Sequence, residues 1–485
     1  MNPIRRAASI SLCGILLFSF GASAQTRATV AGSIDQRASK YSEIAQTIWE
    51  LAEVGYLEQE SSALLQTTLS NAGFQIEAGV AGIPTAFVAT AGSGGPVISI
   101  LAEYDALPGI TQDRVPHREP MVELGAGHAC GHHLFGTGSA AAAIAVKEWL
   151  EQSGTPGTIR VYGTPAEEGG AGKVYMVRAG LFDDVDVVIH WHPGDRNSAG
   201  VRGTLANKSA KFRFRGISAH AAAAPWRARS ALDAVESMNY MVNMMREHVP
   251  QETRIHYVIT SGGAAPNVTP DFAEVWYYVR HPEPSQVLDL FERVVDASEG
   301  AALGTGTEVD HEIIHGVYAM LPNETLARVM HRNLSEVGGV TYSPADRQFA
   351  EAIRTTFTGS VPSIESAAQV QEFEINLAAT GGSTDVADVS WVVPTVGLSA
   401  ATWVPGTAAH SWQAVAAGGT EIGNKGMLVA AKTMALTVVD LFSNQELIAE
   451  AQQEHVRRIG PDFVYTPLVG DRDPPLDYRK PAGQR

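Results

Sequence analysis

The chain has 485 residues, 45% of them hydrophobic, with 52 acidic against 35 basic side chains and a formal net charge of −17. An acidic balance of this size argues against nucleic acid or an anionic membrane surface as partner and predicts a soluble protein. The length exceeds the roughly 250–300 residues at which a single hydrophobic core stops growing, so two domains are expected.

The first residues, "MNPIRRAASISLCGILLFSFGASAQT", place Arg5 and Arg6 before an apolar run that ends in the small residues Ala22 and Ala24. This reads as a secretory signal over 1–24 and predicts an exported protein, periplasmic or secreted, with no membrane attachment after cleavage. Of the two cysteines, Cys13 leaves with the signal. Cys130 then has no disulfide partner, and a lone thiol in an oxidising compartment calls for a reason.

Apolar residues at helical spacing over 39–72 predict two helices around Gly55. "TAFVAT" and "PVISILAEYDALPG" then read as strands, "SAAAAIAVKEWL" as a long helix, and "TIRVYGT" and "VDVVIHWH" as further strands with a helix between them. Continuously apolar strands alternating with helices indicate a mainly parallel α/β sheet. Beyond Gly203 the pattern changes to βαββαβ, a ferredoxin-like unit whose first helix has Ser230 and Asp233 as a capping box. After Leu321 the α/β pattern resumes. The expected organisation is an α/β domain over 25–205 and 322–445, a ferredoxin-like insertion over 206–321, and a C-terminal tail over 446–485 whose last part, "PLVGDRDPPLDYRKPAGQR", is Pro-rich and charged and expected to be poorly ordered or to lie on the surface.

Four places could carry chemistry. In "GHACGHH", Cys130 and His132 are two apart; on an extended segment both would face one way, with Gly131 admitting an ion close to the backbone. Thiolate with imidazole selects a transition metal, although a buried free cysteine beside a structural histidine fits these residues equally well. In "GTPAEEGG", Glu167 and Glu168 end a predicted strand; adjacent side chains diverge there, so one can bind an ion while the other serves as a base. His190 and His192 in "VVIHWHPG" share a face, so periodicity cannot choose between them, and His410 follows a later strand. A serine hydrolase would draw on Ser139 in "GTGSAAA", which lacks a nucleophile elbow. A non-catalytic periplasmic binding protein fits the composition but gives Glu167 no task.

The motifs "EYDALPG", "GHACGHHLFGTGS", "TPAEEGGAGKVYMVRAGLFDD", "WHPGDRN", "FRFRGISAHAAAAPWRARSALDAVE", "APNVTP" and "GGSTDVADVSWVVPT" occur in order along nearly the whole chain. Together they resemble the amidohydrolase branch of the aminoacylase and carboxypeptidase metallopeptidase family. Members of the p-aminobenzoyl-glutamate hydrolase type are nearest; hippurate and auxin-conjugate hydrolases are more distant. The resemblance implies an inserted lid and dimerisation domain, a homodimer, and hydrolysis of small N-acyl amino acids or dipeptides by one or two divalent ions, manganese or zinc first and cobalt or nickel next. It further implies that Cys130, His132, Glu168, His192 and His410 are ligands, with His190 the fallback for His192. Glu167 would be the general base and His220 an oxyanion donor acting across the dimer. Asn267 would contact substrate, and the nearby Arg280 could receive its carboxylate. The chain departs from the pattern at His133, where relatives carry Asp or Asn, and at Asn424, where His is expected.

Overall fold

A computed structural model describes residues 25–123, 125–378 and 382–480. The expected leader lies outside them. Helices Ala38–Leu51 and Gln59–Asn71 flank the turn at Gly55 and lead into β1 (Gln75–Ala78), β2 (Phe87–Ser93) and β3 (Val97–Ala102). Helix His132–Ser153 crosses to β4 (Gly157–Gly163), and helix Gly172–Arg178 to β5 (Val187–Gly194). A two-residue β6 (Val201–Arg202) precedes the inserted unit: β7 (Ala206–Arg215), β8 (Arg254–Ser261), β9 (Phe272–His281) and β10 (Glu308–Val317). The chain then returns through β11 (Ile375–Asn376), paired with β6, to β12 (Thr395–Ala401).

The larger sheet has the order β1-β2-β4-β3-β5-β12. Its β4–β3, β3–β5 and β5–β12 pairings are parallel, and the two pairings at the β1 end are antiparallel. This is the mainly parallel α/β sheet expected. Parallel pairing puts the C-terminal ends of β3, β4, β5 and β12 on one rim, where open α/β sheets bind ligands. Helix His132–Ser153 is buried along most of its length and can approach the sheet closely because its inner face is small: a Cβ at Gly136 would lie 2.7 Å from the Glu103 carbonyl. Helix Glu421–Ser443 is long and apolar enough to cross a membrane, but most of it is buried within this core.

The smaller sheet has the order β10-β7-β9-β8, all antiparallel, which with helices Ala231–Met245 and Pro284–Thr305 gives the βαββαβ unit. Ser230 caps the first of these helices by accepting from the Asp233 N–H. Alternation along β9 does two jobs: Val275, Tyr277 and Val279 enter a separate core with Phe212, Met238 and Phe291, while Trp276, Tyr278 and Arg280 face the cleft against the larger sheet. The edge strand β8 leaves Tyr257, Val258 and Ile259 substantially exposed.

The segment 460–480 lies along the surface, as one of the two readings of its composition expects: most of its residues are exposed or half-buried, with Leu468, Val469 and Tyr478 as buried anchors. Three aromatic and aliphatic anchors outweigh the polarity of the residues between them.

Candidate active site

The rim formed by β3, β4, β5 and β12 opens into a cleft of about 1040 Å³ bounded on its far side by β9. Cys130 and His132 enter it by a route different from the extended segment anticipated. Gly131 adopts φ +79 and caps helix His132–Ser153, so the chain turns at this point, and thiol and imidazole converge from a loop and a helix start. Gly131 is needed for close packing and positive φ, since a Cβ there would lie 2.6 Å from the Pro193 ring. Glu167 and Glu168 likewise sit in a turn, entered through Ala166 at φ +61 and left through Ala171 at φ +56. The divergence expected of adjacent carboxyls holds, produced by turn geometry.

The donors gather closely. Ligand atoms of Cys130, His132 and His192 lie within 4.8 Å of one another, as do those of Cys130, Glu168 and His410, and those of Glu103, His132 and Glu167. Cys130 Sγ is 3.4 Å from His192 Nε2, and His410 Nε2 is 3.3 Å from Glu168 Oε1. His132 is oriented by Asp105, whose Oδ1 lies 2.9 Å from Nδ1; this turns Nε2 toward Glu103, 3.1 Å away. Such a carboxylate behind a histidine fixes both ring orientation and tautomer. Asp105 also accepts the Glu168 N–H at 2.8 Å, tying the turn to the histidine. His132 Nε2, Glu103 Oε2 and Glu168 Oε1 are buried, and their contacts with one another and with His410 are too poorly aligned to count as hydrogen bonds. Poorly satisfied carboxyl and imidazole atoms beside a thiol and two further imidazoles, arranged in overlapping groups, fit transition-metal binding.

The two adjacent glutamates are driven apart in acidity. Burial, reinforced by the charges of Glu103 and Glu168, raises Glu167 well above the usual carboxyl range. Glu168 also feels burial, but the neighbouring His410 imidazole reverses it and brings the group down to about 2. Burial raises the Cys130 thiol strongly, with Glu168 adding to it, and depresses His192 to about 4 and His190 to about 3. His132 goes the other way: burial opposes its charge, but Cys130, Glu103 and Asp105 outweigh it. A pair of carboxyls with opposed environments is the arrangement that divides base and ligand roles between them.

Residues 100–413 match the model of Peptidase family M20/M25/M40. The chain belongs to this family. Membership makes it a hydrolase of amide bonds. The chain is 42% identical to one of the polypeptides that make up p-aminobenzoyl-glutamate hydrolase in Escherichia coli, over 87% of this chain and 93% of that protein. It is 30% identical to the mouse Xaa-Arg dipeptidase, over 87% and 90% respectively. Among solved structures, an aminobenzoyl-glutamate utilization protein from Klebsiella pneumoniae superposes with a TM-score of 0.57 at 19% identity, covering 84% of this chain and 97% of that one, a likeness of fold.

Within this M20 fold the structure separates the alternatives that periodicity left open. His192 reaches the donor cluster; His190 lines the cleft but joins none of the three donor groups. His133 points away from the site, its Nε2 3.0 Å from the Gly418 carbonyl and its ring 4.9 Å from that of His128, so the departure from Asp or Asn leaves the cluster's own contacts to Asp105. Asn424 lies on a helix surface, donating to Glu421. Ser139 is sealed inside its helix, where no substrate can reach it.

Arg280 lines the cleft, but His220 and Asn267 do not. Those two lie together on the outer end of the inserted unit, His220 bridging to Val268 and the Ala221 N–H donating to the Asn267 carbonyl. Both are exposed.

The structure adds site residues that the motifs alone do not single out. Glu103 and Asp105 lie within "EYDALPG", and Lys173 is a third: fully buried, it pairs at 2.7 Å with both Glu103 and Asp385. Its charge is held well above the ordinary lysine range by those two carboxylates, against burial. A signal for Glu103 and Asp105 exists in the sequence, since carboxylates that directly follow an apolar strand stand on the ligand rim.

Proposed function

We propose that this cleft hydrolyses the amide bond of small N-acyl or N-aroyl amino acids, including p-aminobenzoyl-glutamate-like conjugates, and of dipeptides. One or two divalent transition ions would be held by Cys130, His132, Glu168, His192 and His410. The observation that carries the reading is the convergence of thiol, imidazole and carboxyl donors, from buried Cys130 and His132 to exposed His410, on one strand rim beside Glu167, a carboxyl of opposite acidity to its neighbour. The names of the Escherichia coli and mouse relatives support the substrate class.

When bound, a divalent ion polarises a carbonyl oxygen and acidifies a nearby water; manganese and zinc suit these donors first, cobalt and nickel next. Glu167 takes the proton of the attacking water and passes it to the leaving nitrogen. Arg280 receives the free carboxylate of the substrate. His220 and Asn267 then complete the site from a second copy of the chain, which supports a homodimer, with His220 donating to the oxyanion. Exposed Tyr257, Val258 and Ile259 on β8, with Tyr240 and Met244 on the adjoining helix, offer the apolar edge such a pairing needs. The reaction belongs in an exported compartment, as residues 1–24 indicate.

The test is metal analysis of purified protein together with hydrolysis of a panel of N-acyl amino acids, before and after chelation and readdition of each ion. Turnover that falls with the ion and returns with it is expected. Tight binding of the panel by metal-loaded protein without cleavage would instead describe a binding protein.

A further inference from the structure

The segment 460–480 reaches the cleft wall through Arg479. The Tyr478 hydroxyl donates to the Glu168 carbonyl at 3.1 Å, and its ring meets Tyr56 edge-on at 5.7 Å. Lys211 Nζ donates to the Tyr478 carbonyl at 3.0 Å from the inserted unit. The backbone is thus clamped from both sides just before Arg479. The Arg479 guanidinium lies 4.7 Å over the Tyr478 ring and 6.0 Å from Trp276, with Nη2 donating to the Glu168 carbonyl. Its Nε is sealed from solvent and has no partner. Arg280 has the same condition on the same wall: its guanidinium lies 5.3 Å over Tyr278, and its Nε is buried and unpartnered.

Among the described residues no carboxylate forms an ion pair with either arginine, in a chain that carries 52 acidic side chains. Both guanidiniums are half-buried, with Glu167 and Glu168 acting on them only from beyond ion-pair distance, and aromatic faces that fix the plane of each fork leave the free edges available for bidentate contact. A ligand carboxylate fits the free edges of two such forks on one wall of the cleft. We propose that Arg479, delivered by the 460–480 segment, acts with Arg280 as a two-guanidinium receptor for substrate carboxylates, so that this segment is a wall of the binding site and selects amides of dicarboxylic amino acids. The inference rests on the amidohydrolase reading of the same cleft.

The experiment compares N-benzoyl-glutamate with N-benzoyl-glutamine, which differ by one charge, in the wild type, Arg479→Met and Arg479→Lys. The wild type should prefer the glutamate compound, and the ratio of kcat/KM values should fall by about tenfold or more in Arg479→Met, mostly through KM, with part of the preference kept in Arg479→Lys. Equal slowing of both substrates would mean that Arg479 only props the Glu168 turn, and would overturn the proposal. Thermal unfolding checks each variant; if Arg479→Met does not fold, Arg479→Gln is read in the same way. If the wild type cleaves neither compound, the amidohydrolase reading fails by itself. Calorimetric titration of the two compounds then still measures Arg479: wild type and variant binding N-benzoyl-glutamate equally well would overturn the receptor.

Discussion

Replacing Lys173 by Met removes the ammonium that contacts both Glu103 and Asp385 while nearly preserving volume. Each 2.7 Å contact corresponds to about 6 kcal/mol of Coulomb attraction at an effective dielectric of about 20, but most of that offsets the desolvation of three buried charges. What the variant loses is the difference created by leaving two carboxylates without it, about 3–5 kcal/mol for a broken buried pair. Urea unfolding of chelator-treated protein, followed by tryptophan fluorescence at pH 7, should show a loss of this size. The deficit should shrink toward pH 5, where Glu103, already raised by burial and now without the lysine, can take up a proton. Adding Asp385→Asn to Lys173→Met removes one stranded charge and should recover at least about 1 kcal/mol. A loss below about 1 kcal/mol, or no recovery in the double variant, would refute the claim that the lysine neutralises this pair.

Cys130→Ala should lower bound metal and turnover together; full metal content with unchanged kcat would remove the thiolate from the ligand set. Glu167→Gln should retain metal while kcat falls by about 100- to 10,000-fold, whereas Glu168→Gln should lose metal, and the reverse outcome would exchange the two roles. Mixing inactive Glu167→Gln with an inactive His220→Ala variant should restore partial activity through mixed dimers, and no recovery after verified subunit exchange would argue against action across an interface. Asp388, which accepts from the Tyr465 hydroxyl at 2.8 Å, is raised by burial to about 8. Its folded value exceeds its unfolded one, so its contribution is full below about pH 4 and is lost as pH rises toward 8. Asp388→Asn should therefore gain stability relative to the wild type with rising pH, by up to about 1.4 kcal/mol per unit, in urea midpoints measured from pH 5 to 8; a pH-independent difference would contradict this.

Much of the architecture is legible in the sequence because it rests on patterns confined to a few residues. Apolar β3, β4 and β5 announce a parallel sheet by composition, and the alternation in β7 and β9 announces an antiparallel one. Glu168 and His192 are legible because they stand near the ends of β4 and β5, whereas Cys130, His132 and His410 are legible only through the His- and Cys-bearing motifs that hold them. Backbone turning is not: the positive φ of Gly131 and Ala166 converts two apparently extended segments into turns, and no side-chain pattern encodes that. Contacts distant in sequence are also invisible. Lys173 gains its meaning only from Glu103, 70 residues earlier, and Asp385, 212 later. Arg479 is hidden by a segment whose composition suggests solvent and which is held down by the separate anchors at Leu468 and Tyr478.

The left-handed alanines at 166 and 171 bracket the Glu167–Glu168 turn, and His410 shares their conformation at φ +57. Each such residue costs about 1–2 kcal/mol relative to glycine's freedom, yet glycine would leave the turn able to sample many bearings. Alanine and histidine thus hold both carboxyls and an imidazole at fixed headings before any substrate arrives, and the ordering is met once, during folding, instead of at every encounter. The reserve from which it is drawn is small, since folded chains hold only about 5–15 kcal/mol in total. Core substitutions elsewhere in the sheet therefore meet a margin already narrowed by the active-site turn, and mutational tolerance of the whole domain is set in part by three φ angles.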